Sequence, residues 1–106
     1  NTTGTWGTIS DGRVKENIQP AGSYLDDLAR VQVVKYSLID DHKTTPDKLG
    51  VVAQQVEEIF PGLIDTGAVT EKTPDGMKTV KMSVFVPMLI TAIQELKARI
   101  DILEKR

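Results

Sequence analysis

The sequence contains no cysteine, and its one histidine is His42. Without thiolates and with a single imidazole, no disulfide, zinc or iron–sulfur scheme can be written, so neither a metal nor a cofactor is expected and the redox compartment stays open. Charge of one sign is also missing. The 13 basic and 15 acidic residues alternate closely for a net charge of −2. They form no basic face of the kind that follows a phosphate backbone, and nucleic acid is not expected as a direct partner. Long hydrophobic runs are absent as well. The longest, Val84 to Ile90, contains Pro87 and is far shorter than the roughly 20 residues of a spanning helix. The start of the sequence has neither a basic region nor an apolar signal core. A soluble chain with no membrane partner and no visible address is therefore expected. With 106 residues and 40% hydrophobic content, the chain suits one small domain, near the size at which partners or oligomerisation help a modest core.

Residues 1–9, Asn-Thr-Thr-Gly-Thr-Trp-Gly-Thr-Ile, are rich in Thr and Gly, which disfavours helix and suits extended or edge-strand structure. From Ser10 the composition becomes charged and apolar. Asp11 is placed to cap a short helix over about Gly12 to Ile18, stopped by Pro20. Ser23 is a candidate N-cap for a second short helix, in which Leu25, Leu28 and Val31 recur every three residues. Val31 to Leu38 is rich in β-branched and aromatic residues and alternates in its later part, as a half-buried strand does. Asp40 to Lys48 reads as a polar loop carrying an exposed His42 with no catalytic role. Leu49 to Ala53 is a second strand that can pair with the first. It leads into a helix from Gln54 to Phe60 whose Val52, Val56, Ile59 and Phe60 share a face, ended by Pro61-Gly62. Leu63 to Asp65 and Met77 to Val80 read as a hairpin around the turn sequence Thr73-Pro74-Asp75-Gly76.

From Ser83, as cap, the spacing predicts a long helix to the end, with Pro87 tolerated in or near its first turn. Leu89, Ile93, Leu96, Ile100 and Leu103 are spaced four, three, four and three, the d-a-d-a-d seam of a coiled coil. Arg99 and Glu104 occupy a g position and the following e position. Over residues 85–93 the stripe is wide and is expected to pack on the domain's own core; beyond Leu96 it narrows and favours another chain. Ile at a and Leu at d ordinarily favour two strands, but two heptads do not fix the number. The expected class is thus a small α+β domain of short strands, hairpins and short helices that ends in a long C-terminal helix.

Three blocks appear in order: Ser-Asp-x-Arg-x-Lys-Glu-Asn-Ile at 10–18, Leu-Gly-Val-Val-Ala-Gln-Gln-Val-Glu-Glu-Ile-Phe-Pro at 49–61, and Val-Pro-Met-Leu-Ile-Thr-Ala-Ile-Gln-Glu-Leu at 86–96. Together they resemble the peptidase S74 family, the C-terminal intramolecular chaperone domains of phage tail spikes and tail fibres such as the endosialidases. The resemblance extends over about residues 10–103, and ordered motifs are more specific than any single one. It implies a homotrimer with a trimeric coiled coil, a passenger fibre or spike upstream in the same chain, and assembly in the cytoplasm of a bacterial host. It also implies release from the mature virion after autoproteolysis. Residues 1–9 then become the end of the passenger, with Trp6 anchoring it, and 10–106 the chaperone. Carried residue by residue, the resemblance makes Ser10 the nucleophile, Lys15 the general base and Ile9–Ser10 the scissile bond, with Asp11, Arg13 and Gln54 as candidate supporting residues. Gly12 and Val14 depart from the family pattern, which often has a bulkier side chain or leucine there. Gly12 is expected to loosen the first helical turn and slow the reaction. Related domains occur in a membrane-bound eukaryotic transcription-factor precursor, so the host is not settled by the resemblance.

A serine hydroxyl is a weak nucleophile until a base removes its proton, and a lysine does so only as the neutral amine. Lys15 must accordingly be desolvated by apolar neighbours or lie near another cation such as Arg13. Five residues of regular helix rotate the chain by roughly 140°, so Ser10 must sit on the turn that precedes the helix. There its hydroxyl reaches back to the Ile9 carbonyl for an N-to-O acyl shift, with amides of the helix N-terminus to hold the oxyanion. Each chain is cut once.

Taken alone, Ser10 is an ordinary helix cap and Lys15 an ordinary solvated lysine; the family resemblance reverses that reading for the pair. Gln54 and Gln55 either orient the site, line a trimer contact or form a plain polar helix end. Glu57 and Glu58 are expected to be solvated. A trimerisation and folding module of the same scaffold that does not cut is the competing function. An adaptor acting through its coiled coil leaves the Ser10–Ile18 motif unexplained.

Overall fold

The computed structural model describes Gly7 and residues 9–106. The extended structure expected for residues 1–9 and the anchoring role expected for Trp6 fall almost wholly outside the described residues. Among the described residues, short helices and two hairpins precede one long helix. A first helix, α1 (Leu25–Leu28), packs on the last, α3 (Phe85–Glu104). Strands β1 (Val34–Tyr36) and β2 (Lys48–Gly50) form an antiparallel hairpin with Lys35 opposite Leu49. Helix α2 (Ala53–Ile59) follows, and a second antiparallel hairpin joins β3 (Ile64–Thr66) to β4 (Lys78–Val80) with Asp65 opposite Thr79. The architecture is α+β, with both hairpins close to where the sequence reading puts them.

The core sits where α2, the 3-10 turn Pro61–Leu63 and the start of α3 converge. Val56, Leu63 and Phe85 are buried together, with Leu28, Val31, Val51, Phe60, Ile64, Val80, Val84 and Met88 packed around them. The Phe60 and Phe85 rings meet edge to face at 6.2 Å and 82°, an arrangement that adds about 0.5–1.5 kcal/mol beyond the buried area. Ala92 is buried further along α3. The radius of gyration, 18.1 Å, exceeds the roughly 13 Å of a compact domain near 100 residues. Helix, hairpins and the segment before α1 extend away from this small centre.

Several local expectations are corrected by tertiary partners. The helix over Gly12 to Ile18 is only a three-residue 3-10 turn, Gly12–Val14, after which Lys15 is extended and Asn17 adopts φ 54°. No residue of this stretch is buried, so no packing compensates the cost of nucleating a helix that contains glycine. Ser23 does not cap α1: Tyr24 holds that position, and the Ser23 hydroxyl donates to the Glu95 carboxylate on α3. Ser83 does not cap α3 either. It lies within a 3-10 turn, Met82–Val84, that runs straight into the helix and supplies acceptors for the Phe85 amide. Pro87 falls in the first turn of α3, where its missing N–H costs nothing. Glu57 is not merely solvated; it pairs with Lys78 and ties α2 to β4.

The turn at the tip of the second hairpin is glycine-dependent. The Gly76 amide donates to the Thr73 carbonyl at 2.9 Å. Its φ is +99°, and a Cβ there would approach Thr66 Cγ2 to 2.6 Å and the Gly67 carbonyl oxygen to 2.8 Å.

Phe85 joins α3 to the rest of the core, so Phe85→Ala is expected to lower the unfolding free energy by about 3–5 kcal/mol. A urea titration followed by far-UV circular dichroism measures this as an early midpoint at unchanged slope; an unchanged midpoint would show that α3 is held elsewhere.

Candidate functional site

Ser10 and Lys15 flank the Gly12–Val14 turn, and the Lys15 Nζ donates to Ser10 Oγ at 2.9 Å. The local sequence explains the meeting. A 3-10 turn between two extended residues, Asp11 (ψ 124°) and Lys15 (φ −115°, ψ 145°), folds the chain back so that side chains five apart converge. A continuous helix would have held them on different faces. The Val14 amide donates to the Asp11 carbonyl at 3.1 Å and the Lys15 amide to the Gly12 carbonyl at 3.2 Å.

Asp11 caps the turn. Its Oδ1 accepts from the Arg13 amide at 2.9 Å, and its carboxylate also takes the Arg13 guanidinium, with Nη2 to Oδ2 at 2.7 Å. The side-chain hydrogen bond from Arg13, then the backbone one, holds the Asp11 carboxyl below its ordinary value. The same contact raises Arg13.

Two expected features of the chemistry are therefore corrected. Arg13 is engaged by a carboxylate and is not an unscreened cation beside Lys15. The amides of Arg13, Val14 and Lys15 are committed within the turn, so the array of helix N-terminal amides expected to hold an oxyanion is reduced to that of Gly12.

The segment carrying this pair stands apart. Residues 9–22 are all exposed, with Ile9 81%, Val14 70% and Ile18 74% accessible. Among the described residues it rejoins the body at Ser23, which reaches Glu95; Arg99 also holds Glu95, at 2.5 Å. Lys15 is exposed, and among the described residues none of the apolar neighbours expected around it covers it.

Gln54 lines an open groove of about 850 Å³ with Tyr36, Leu38, Val52, Thr73 and Met77, a groove that neither Ser10 nor Lys15 lines. Gln55 instead bridges backbone: its Nε2 donates to the Arg30 carbonyl at 2.9 Å, and its Oε1 accepts from the Gln32 amide at 3.1 Å. A Gln-Gln pair carries no sequence signal that separates these two roles.

The long helix has two differently used sides. Phe85, Met88 and Ala92 face the body, whereas Leu89, Ile93, Leu96, Ile100 and Leu103 are 44–64% exposed. The wide stripe of 85–93 is thus divided: Leu89 and Ile93 do not pack on the domain's own core as expected. Val86, exposed and seven residues before Ile93, continues the same seam at an a position, and Ile90 widens it at e. The sequence reading missed Val86 because Pro87 drew attention to the helix boundary; the heptad count finds it. Arg99, at its g position, pairs with Glu95 of its own helix.

The fold and this arrangement define a small α+β module with an outward Ser–Lys segment and a helix whose apolar seam lacks a partner in the single chain. The chain belongs to the peptidase S74 family: the family model, described as chaperone of endosialidase, matches residues 10–65. The matched residues take in the Ser10–Lys15 turn, the first hairpin and α2, and end in β3. No curated protein matches the chain. Membership supports a chaperone role and an association with an upstream passenger.

The Asp11 cap contributes above the ordinary carboxylate value of 3.8 and is lost as pH falls through the lowered value of the folded state. Nuclear magnetic resonance should show the Arg13 amide shift titrating with a midpoint below 3.8; a midpoint at or above that value would mean the cap is not formed in solution.

Proposed function

We propose that this chain is an intramolecular chaperone that trimerises through its C-terminal helix, assists folding of an upstream tail fibre or spike, and then releases itself by cutting the Ile9–Ser10 bond. The observation that carries the cleavage is the 2.9 Å contact between Lys15 Nζ and Ser10 Oγ, immediately after the exposed Ile9. Residues 1–9 are then the end of the passenger and 10–106 the chaperone. The setting is a phage precursor in the bacterial cytoplasm, with the chaperone leaving the mature virion.

In the reaction, neutral Lys15 accepts the Ser10 hydroxyl proton as Oγ attacks the Ile9 carbonyl carbon. The Ile9–Ser10 C–N bond breaks, the proton passes to the leaving Ser10 amine, and an ester links Ile9 to Oγ. Water then hydrolyses the ester, leaving an Ile9 carboxylate and a chain that begins at Ser10. Because Lys15 is exposed in the single chain, its desolvation has to come from neighbouring chains or the passenger. Assembly and cutting are thereby coupled.

The trimer reading is supported by the exposed seam Val86, Leu89, Ile93, Leu96, Ile100 and Leu103 with Ile90 beside it. An apolar e position broadens the sticky face beyond the two-residue stripe of a dimer, which suits more than two helices. Bringing three chains together early raises their local concentration before the slow, non-local pairing of a fibre begins. The exposure of Lys15 also favours the second reading, a folding and trimerisation module that leaves its chain whole.

Intact mass spectrometry of the chain and of its Ser10→Ala and Lys15→Ala variants separates the two readings. Loss of residues 1–9 from the parent is expected, with none from Ser10→Ala and at least roughly a hundredfold slower loss from Lys15→Ala. If all three stay whole while trimeric by light scattering, the non-cutting module is the correct reading.

The parent's cutting is expected to speed up as pH rises, because general-base catalysis needs the free amine. A flat profile from mildly acidic to alkaline pH would exclude a lysine base. Deleting Leu96–Arg106 removes half of the seam and is expected to weaken the trimer and slow cutting together. Undiminished cutting by a monomeric truncation would break the coupling.

A further inference from the structure

We propose that Asp11 is a positioning residue: by capping the Gly12–Val14 turn and gripping Arg13, its carboxylate sets the distance at which Lys15 meets Ser10. This rests on the reading of the pair as a cleavage dyad, although the placement itself is independent of cutting.

The segment that holds the pair has no packing to rely on, since every residue from Ile9 to Gly22 is exposed. A single 3-10 turn that begins with glycine is unstable by itself, because its few hydrogen bonds do not offset the backbone freedom it removes. Apart from the Ser10–Lys15 contact, the side-chain hydrogen bonds described within this segment all belong to the Asp11 carboxylate. It accepts from the Arg13 amide at 2.9 Å, from Arg13 Nε at 3.1 and 3.2 Å, and from Nη2 at 2.7 Å.

The geometry separates two tasks within that grip. The amide contact closes the turn and needs only an acceptor at position 11. The guanidinium contact restrains the carboxylate but depends on two exposed side chains and adds little by itself. Asn supplies the acceptor without the charge and is as good a cap as Asp. Asp11 touches neither Oγ nor Nζ in these contacts, so its effect reaches the reaction through the turn.

The first measurement uses the Ser10→Ala variant, in which the introduced β-methyl should show a nuclear Overhauser contact to the Lys15 ε-methylene. Adding Asp11→Ala should abolish that contact, whereas adding Asp11→Asn or Arg13→Ala should keep it. In the chain with Ser10 intact, Asp11→Ala should slow cutting about five- to thirtyfold, the ordinary worth of a cap converted to a rate. Asp11→Asn and Arg13→Ala should stay within about threefold of the parent on the same scale.

Absence of the contact already in Ser10→Ala overturns the proposal, because the hydrogen bond and not the turn would then hold the pair. Its survival in Asp11→Ala, or equal loss in Asp11→Asn, overturns it too. If the contact follows the expected pattern but the parent never cuts, the positioning role stands and the self-cleavage reading falls.

Discussion

Everything else in this structure hangs on the meeting of Val56, Leu63 and Phe85, because among the described residues it is the place where α2, the second hairpin and the long helix share buried apolar surface. The cluster is small for 106 residues. Large side chains such as Val33, Leu38, Ile39, Leu49, Leu89 and Ile93 remain exposed around it. Burial of apolar area is the main favourable term in folding, so a chain that leaves this much outside gains stability from whatever covers it. That inference from area agrees with the chaperone description of the family.

The long helix resolves what would otherwise be a conflict between folding and assembly. Its body-facing residues Phe85, Met88 and Ala92 and its seam residues Val86, Leu89, Ile93 and Leu96 are interleaved in sequence but lie on different sides. Each side can therefore be satisfied without the other being released. Glu95 sits on the body-facing side and receives Ser23 and Arg99. The segment with Ser10 and Lys15 is in this way tethered directly to the helix on which assembly is proposed to act.

Much of this fold was legible in sequence, for identifiable reasons. Alternation and a compact apolar run located the first hairpin, and Thr73-Pro74-Asp75-Gly76 announced the turn of the second because Gly76 must adopt a backbone that other residues resist. The helix after Val52 and the long final helix followed from the spacing of apolar residues. What failed was local inference where a distant group decides. Ser23 looks like a cap that accepts from a helix amide until its hydroxyl is drawn to donate to Glu95, and Glu57 looks solvated until Lys78 arrives from another element. Gln55 looks like a polar helix end, yet it clasps the backbone on both sides of Val31. The candidate site shows the same division: the five-residue separation of Ser10 and Lys15 was visible, but a helix was the wrong way to join them. Exposure and Gly12 limit the helix to one turn, and that turn is what lets the pair meet.

The isolation of that turn bears on how a single-use cleavage can be timed. A lysine that is desolvated within its own folded domain would be ready as soon as one chain folds, and the cut would precede assembly. Here the geometry is local, built from residues 10–15, while the surroundings of Lys15 are open in the single chain. On the proposed reading, the two requirements for a Ser–Lys dyad, contact and desolvation, are met at different stages. Contact comes from the turn as soon as the chain is made. Desolvation waits for the neighbours that the exposed Ile9, Val14 and Ile18 and the helix seam are fitted to recruit. A chaperone that must not release its passenger before the trimer is complete gains its order of events from that separation, without any moving part beyond association itself.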